Sequence, residues 1–320
     1  MGAAGAQTPE PVKPARAPVK LGERAYRWFF APVDGGALEL ARIGFGLILL
    51  ATYLRYLPYL AVVFGPAGIG GHDTLARTPD FAGLGYQAFA HLRFLDGFDS
   101  FAPIVALYLA LLVAAACFTL GLATRWTGAA AALLHLAFTA HNPHLRAGWS
   151  WLLAPFTLYV AAVGSDARLS LGAWWRKRRG LAEKSALVAP WGWRLLQIHA
   201  CTMYLAAGWE RLDAPGWLKG DMVLHSLLNT GYGRFNLDWF ALRPALTVAA
   251  YLVFLLEPLA PILLWLRPIN RYFLVLLIAM HLGIEAGIEV GWWQWLMLVA
   301  LTAFFPREWI DRIMPRRLQA

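Results

Sequence analysis

Ionisable side chains set inside long apolar runs are the first candidates for chemistry in this chain. The stretch from Arg194 to Asp221 carries His199 in an apolar helix, tightens at Ala206-Ala207-Gly208, and leaves through Trp209-Glu210-Arg211-Leu212-Asp213. Glu257 stands in Leu255-Leu256-Glu257-Pro258-Leu259-Ala260-Pro261. His281, Glu285 and Glu289 recur every four residues, with Gly283 and Gly287 among them, and Glu39 precedes Arg42 by three in the first apolar run. An ionisable group in hydrocarbon costs roughly 2.5–3.5 kcal/mol on insertion scales, so each needs a partner or a use.

The chemistry these residues can support is proton transfer next to a fixed positive charge. Arg211 can hold an anionic or carbonyl group, while Glu257, His281 or Glu285 handles protons. These four are the candidate catalytic residues. Arg42, His199 and Glu210 are the candidate substrate-binding residues of the same polar cavity, which is expected to open on the non-cytoplasmic side. His199 and Glu210 are eleven residues apart, about three helical turns, and so share nearly one face. Pro258 and Pro261 are expected to free backbone carbonyls beside Glu257. Each candidate also has a structural reading: an ion pair between Glu39 and Arg42, a His199 bonded to a neighbouring helix, a packing network along His281, Glu285 and Glu289. Arg55, near the outer end of the first run, can snorkel. His141 and His144 flank Asn142-Pro143 with no third ligand fixed by the sequence, and no metal is assigned.

The elements that must position these residues are transmembrane helices. Of 320 residues 59% are hydrophobic and 15% charged, too little polar surface to coat a soluble globule of this size. The net charge of +9 does not mark a nucleic-acid binder, because the basic residues gather at the ends of apolar runs and not on a solvated face. Cys117 and Cys201 lie in apolar segments without paired spacing, which excludes a disulfide framework and a cysteine zinc site.

By the requirement of about 20 apolar residues per crossing, eight spans are expected, near 37–60, 102–123, 127–140, 148–164, 195–209, 245–266, 271–287 and 290–305. The fold class is thus an all-α polytopic membrane bundle with both termini cytoplasmic. With that orientation 19 of the 28 Lys and Arg fall on inner segments. The expected organisation is a disordered basic tail and membrane entry at 1–36, a transmembrane domain at 37–305 and a basic cytoplasmic tail at 306–320, with no cleaved signal peptide. Trp174-Trp175-Arg176-Lys177-Arg178-Arg179 and Trp191-Gly192-Trp193 predict an element lying on the inner surface, as an anchor or as a specific lipid or partner site. The segment 64–100 is expected to cover the outer mouth of the bundle.

Several of these pieces occur together in a known order: Ala41-Arg42-Ile43-Gly44-Phe45-Gly46-Leu47, His141-Asn142-Pro143, Tyr204 to Leu212 ending in Trp217, Leu256 to Pro261, and Met280-His281-Leu282-Gly283. In this the chain resembles the HTTM superfamily, the membrane domain shared with the vitamin K-dependent γ-glutamyl carboxylases, from about Ala37 to Phe305. The carboxylases resembled bind reduced vitamin K in the bundle and use a lysine after the small-residue run as the base. Arg211 stands at the matching position, and a guanidinium stays protonated, so it cannot be that base. The segment after Asn142-Pro143 and the large lumenal portion of the carboxylases also have no counterpart. The resemblance therefore implies the scaffold without γ-carboxylation. SdpB-like bacterial members, which serve maturation of a secreted peptide toxin, are similar in length. For a bacterial chain the membrane is the plasma membrane. The resemblance implies a membrane-embedded enzyme or maturation factor, with a lipid, a quinone-like molecule or an exported peptide as substrate and the bilayer or another membrane subunit as partner. Enzyme, transporter and non-catalytic assembly partner remain open at this point.

Overall fold

A computed structural model describes residues 20–69 and 93–314. The chain opens with α1 (Leu21–Phe30), then α2 (Gly36–Tyr56) and, past Pro58, α3 (Leu60–Phe64). There follow α4 (Phe101–Leu120), α5 (Thr124–His141), α6 (Gly148–Val163) and the short α7 (Leu171–Arg178). The second half comprises α8 (Trp191–Leu212), the short α9 (Pro215–Leu218) and α10 (Met222–Leu228), α11 (Arg243–Leu263), α12 (Ile269–Gly287), α13 (Trp293–Leu301) and α14 (Arg307–Ile313). The described strands are a two-residue ribbon, β1 (Val33–Asp34) antiparallel to β2 (Leu187–Val188), with Val33 opposite Val188. Runs of Leu, Ala, Val and Phe make these helices because an apolar surrounding offers the backbone no other partner than itself.

All eight apolar segments expected from the sequence are helical. Length and composition qualify four of them to cross a bilayer: Gly36–Phe64, Phe101–Leu120, Trp239–Leu263 and Ile269–Gly287. Gly148–Val163 and Trp293–Phe304 are shorter apolar helices, and α5 and α8 carry more polar residues. The long helices keep large apolar side chains such as Leu47, Val113, Leu252 and Leu276 half exposed. An exposed apolar belt of that kind marks a lipid-facing surface. The N-terminal tail before residue 20, most of the covering segment expected over 64–100, and residues 315–320 lie outside the described residues.

The bundle has two halves. Helices α2, α4, α5 and α6 pack on one another, as do α8, α11, α12 and α13; α6 meets α8, and α13 meets both α2 and α6. One core runs through both halves, from Phe45, Tyr108 and Phe156 to Leu196, Leu277 and Leu296. In the first half Tyr53, Phe64, Tyr108 and Phe138 form an aromatic cluster with centroids 5.0–6.5 Å apart. His135 serves this cluster: Nε2 lies 2.7 Å from the Ser150 carbonyl and Nδ1 2.8 Å from the Tyr53 hydroxyl.

The opposite end of the first half differs from expectation. Glu39 and Arg42 do not pair with each other. The Glu39 carboxylate accepts from the backbone N–H groups of Arg168 and Leu169 at 3.0 and 2.5 Å. Arg42, fully buried, donates to the carbonyls of Phe118, Thr119 and Leu169. The reason is that α4 ends here at Gly121, whose φ of 74° is one that side chains rarely adopt, leaving its last carbonyls without helical partners. A cation at a helix C-terminus satisfies them. Arg168 also reaches Asp34 at 2.5 Å. Burial alone would raise the Asp34 carboxyl, but the bonds from Arg168 and from the Gly36 N–H hold it below its ordinary value. Of the expected surface element, α7 exposes Trp174 and Trp175, whereas Trp193 turns inward and donates to the Ala303 carbonyl at 2.6 Å. The expected basic C-terminal tail begins as helix α14, whose Ile310 packs with Ala37 and Met314.

Candidate functional site

Helices α8 and α11 are brought together at one point by a missing side chain. A Cβ on Gly208 would lie 2.9 Å from Pro258 Cβ and 3.2 Å from its backbone nitrogen. Ring and glycine thus face each other in close approach, and one turn beyond, Arg211 forms an ion pair with Glu257. The guanidinium carbon also lies 4.2 Å from the centre of the Trp217 ring, on the far side of the turn at Ala214. The Arg211 side chain is 17% exposed and that of Glu257 8% exposed. Both charges are therefore largely out of water; each offsets the other, and the indole face meets the guanidinium alone. Helix α11 runs unbroken through Pro258 and Pro261, contrary to the expected break.

Deeper in the same half, a second chain of polar groups crosses three helices. The Tyr204 hydroxyl lies 2.7 Å from Nε2 of His281, and Nδ1 of His281 lies 2.5 Å from Oε1 of Gln294. With the Gln294 carbonyl accepting, Nδ1 carries the proton, so Nε2 is the acceptor for the Tyr204 O–H. The three residues come from α8, α12 and α13 and are all buried. One helix links the two groups: Tyr204 and Arg211 are seven residues apart on α8, about two turns, and so lie on nearly one face. A neutral imidazole aligned on a phenol, next to a guanidinium and a carboxylate, can relay one proton and stabilise one negative charge.

The polar stripe expected along α12 is divided. Helix α12 ends at Gly287, so Glu289 falls outside the helix and not one helical turn beyond Glu285. His281 turns into the bundle, while Arg234 takes the two carboxylates, Glu285 at 2.5 Å and Glu289 at 3.3 Å. Arg234 Nε also donates to the Glu285 carbonyl, and its backbone N–H to that of Gly287. Glu289 is in addition 3.7 Å from Arg55 of α2.

The remaining expected residues lie elsewhere. His199 faces α6, with Nδ1 3.3 Å from the Tyr159 hydroxyl and its ring edge-on to Phe156. Glu210 is exposed to the surroundings of the bundle. Arg42 closes the far end of α4, as described above. Of the seven expected site residues, the structure thus gathers Arg211, Glu257 and His281; Glu285 sits at the mouth with Arg234; Arg42, His199 and Glu210 are apart. Among the described residues no group of three or more His, Cys, Asp or Glu is placed to hold a metal. His141 binds Asp96 through Nδ1 at 2.6 Å, and its Nε2 faces the Phe64 carbonyl. Gln294, Trp217 and Arg234 were missed as site residues. Gln294 had a signal, being the one polar side chain in Trp292-Trp293-Gln294-Trp295-Leu296-Met297.

A family model described as HTTM domain matches residues 30–309 of the chain. No curated protein and no solved structure matches it.

Proposed function

Since the chain belongs to the HTTM domain family, we propose that it is a membrane-embedded enzyme or maturation factor, acting on a lipid, quinone-like molecule or exported peptide that bears an anionic or carbonyl group. The observation that carries this reading is the Arg211–Glu257 ion pair lying next to the Tyr204–His281–Gln294 chain. Arg211 is the fixed positive charge that receives the polar group of the substrate, releasing part of its hold on Glu257. Tyr204 offers a proton from its hydroxyl, and His281, oriented by Gln294, accepts or restores it. A guanidinium gripped by a carboxylate is no base, so Arg211 cannot take the role of the carboxylase lysine, and the reading does not include γ-carboxylation. The reading includes eight crossings with both termini on the cytoplasmic side, which puts Arg211 near the non-cytoplasmic surface. A transporter would need a route to both faces, and the buried Arg42, Glu39 and Arg168 network at the other end speaks against one.

The test is untargeted mass spectrometry of small molecules and lipids copurifying with the wild type and with Arg211→Ala. A species enriched in the wild type and lost in the variant is the expected result. Nothing beyond bulk lipid in either sample would overturn the reading in favour of a non-catalytic assembly partner.

A further inference from the structure

We propose that the groove between α1, α8 and α11 binds one anionic phospholipid, an acyl chain lying along the groove and the headgroup phosphate at Arg194. The groove, about 370 Å³, shares no residue with the site just described and does not depend on that reading. Its wall on α8 is Ile198, Cys201, Thr202 and Leu205, and Arg194 lies one turn before Ile198. Spacings of three and four put all five on one stripe of the helix, so the arginine stands at one end of an apolar track. Small residues in the middle of that stripe make the hollow: Cys201 and Thr202 leave room between the longer Ile198 and Leu205. The Thr202 hydroxyl donates to the Ile198 carbonyl at 3.0 Å and so asks nothing of an occupant.

The other two walls meet at the Arg194 end. Pro261 lines the groove from α11, and Trp265 from the turn that follows that helix. From α1 comes Trp28, whose ring centre is 5.7 Å from that of Trp265. Arg194 is half-buried and fixed against Trp28: its guanidinium carbon lies 4.6 Å from the ring centre, and Nε donates to the Trp28 carbonyl at 3.3 Å. Nη1 donates to Oε1 of Gln197 at 2.9 Å. Both acceptors are neutral. Among the described residues Arg194 has no carboxylate partner, nor has Arg24, one turn before Trp28, nor Arg267, two residues after Trp265. Each of the three walls thus carries an arginine whose charge is unmatched.

In a bilayer an apolar groove alone selects nothing, because lipid tails are as apolar as the side chains that line it. Selection comes from the charge at its end. The occupant that matches is a long hydrocarbon chain joined to an anion. Helix α1 fixes the level at which the two join: none of its residues is buried, and it exposes Leu21, Tyr26 and Phe30 beside Arg24. A helix of that composition lies at the boundary of lipid and water. Trp28, Trp265 and Arg194 stand against one another at the same level, and indoles and arginines prefer the headgroup layer. A phosphate there pairs with the guanidinium while the chain follows α8 into the apolar layer.

Photo-crosslinking of the purified full chain in detergent tests this, with equimolar phosphatidylglycerol or phosphatidylcholine carrying a diazirine in one acyl chain and the adducts mapped by peptide mass spectrometry. Phosphatidylglycerol should label α8 between Ile198 and Leu205, and the chain between Pro261 and Trp265, about fivefold or more above the phosphatidylcholine probe. It should exceed by a similar factor the label at Val113, which is exposed on α4. Thr202→Trp, at an exposed position whose new ring fills the hollow, should lose the groove label, whereas Val113→Trp should leave it unchanged. Arg267→Gln should weaken it about fivefold. Equal labelling by the two lipids in the wild type would overturn the proposal whatever the variants do. Labelling of α4 as strong as that of the groove would overturn it too, as would a folded Thr202→Trp chain labelled like the wild type.

Discussion

Replacing Glu257 by Gln keeps the shape of the side chain and removes one charge from the Arg211 pair, and the size of the effect follows from what surrounds it. Removing one partner of a buried ion pair costs about 3–5 kcal/mol, because the other charge is left without compensation. Here the stranded guanidinium is 17% exposed and keeps the Trp217 face at 4.2 Å, a contact worth about 0.5–2 kcal/mol. The expected loss for Glu257→Gln is therefore about 2–3 kcal/mol. Arg211→Gln strands a carboxylate that is only 8% exposed and also empties the Trp217 stack, so its loss should be somewhat larger, about 3–4 kcal/mol. The double variant leaves two neutral amides that can bond each other and should cost less than the sum by about 2 kcal/mol. Equilibrium unfolding by SDS in mixed micelles, at neutral pH, measures all four corners of this cycle. Additivity within about 0.5 kcal/mol would mean that the two charges are solvated independently. The reasoning that makes them one unit of the site would then be refuted.

Two further outcomes follow from the same geometry. Gly208→Ala puts a methyl 2.9 Å from Pro258 Cβ and should destabilise by about 1–3 kcal/mol through overpacking; in the same micelle assay it should also weaken the Arg211–Glu257 coupling, and an unchanged coupling would show that α8 and α11 do not set the pair. On the acid side, burial raises the carboxyl of Asp96, but bonds from His141 and Arg93 bring it below its ordinary value of 3.8, as Arg168 does for Asp34. Folded-state values lower than unfolded ones mean that this stability is fully present above about pH 4 and is lost as the pH falls through the folded values. The unfolding midpoint of Asp34→Asn should accordingly lie below that of the wild type at neutral pH and converge on it at pH 3 or lower; a constant difference across that range would refute the assignment.

The sequence carried the helices and most of the polar residues, but not their pairings. Long apolar runs were enough to place α2, α4, α11 and α12, because in hydrocarbon the backbone has a single way to bond itself. Spacing along one helix was a poorer guide. Glu39 and Arg42 are well spaced to pair, yet each finds backbone partners on other segments, since α4 and the connection at Arg168 end against them. His281, Glu285 and Glu289 read as one stripe only if α12 continues past Gly287, which it does not. Gln294 escaped notice as a site residue for a similar reason: an uncharged polar side chain in an apolar run gains its role from which helix it faces, and that is decided by packing between distant segments.

The placement of α13 has a consequence for how the chain is made. A Cβ on Gly44 in α2 would meet the Val299 side chain 2.5 Å away, so one of the first helices synthesised has its groove filled by one of the last. Roughly 250 residues separate the two, on the order of ten seconds or more of ribosomal elongation. During that interval the Gly44 face of α2 is open to lipid or to another membrane factor. Completion of the core is a late event, and truncation before Trp293 removes Gln294 and the wedge at Val299 in a single stroke.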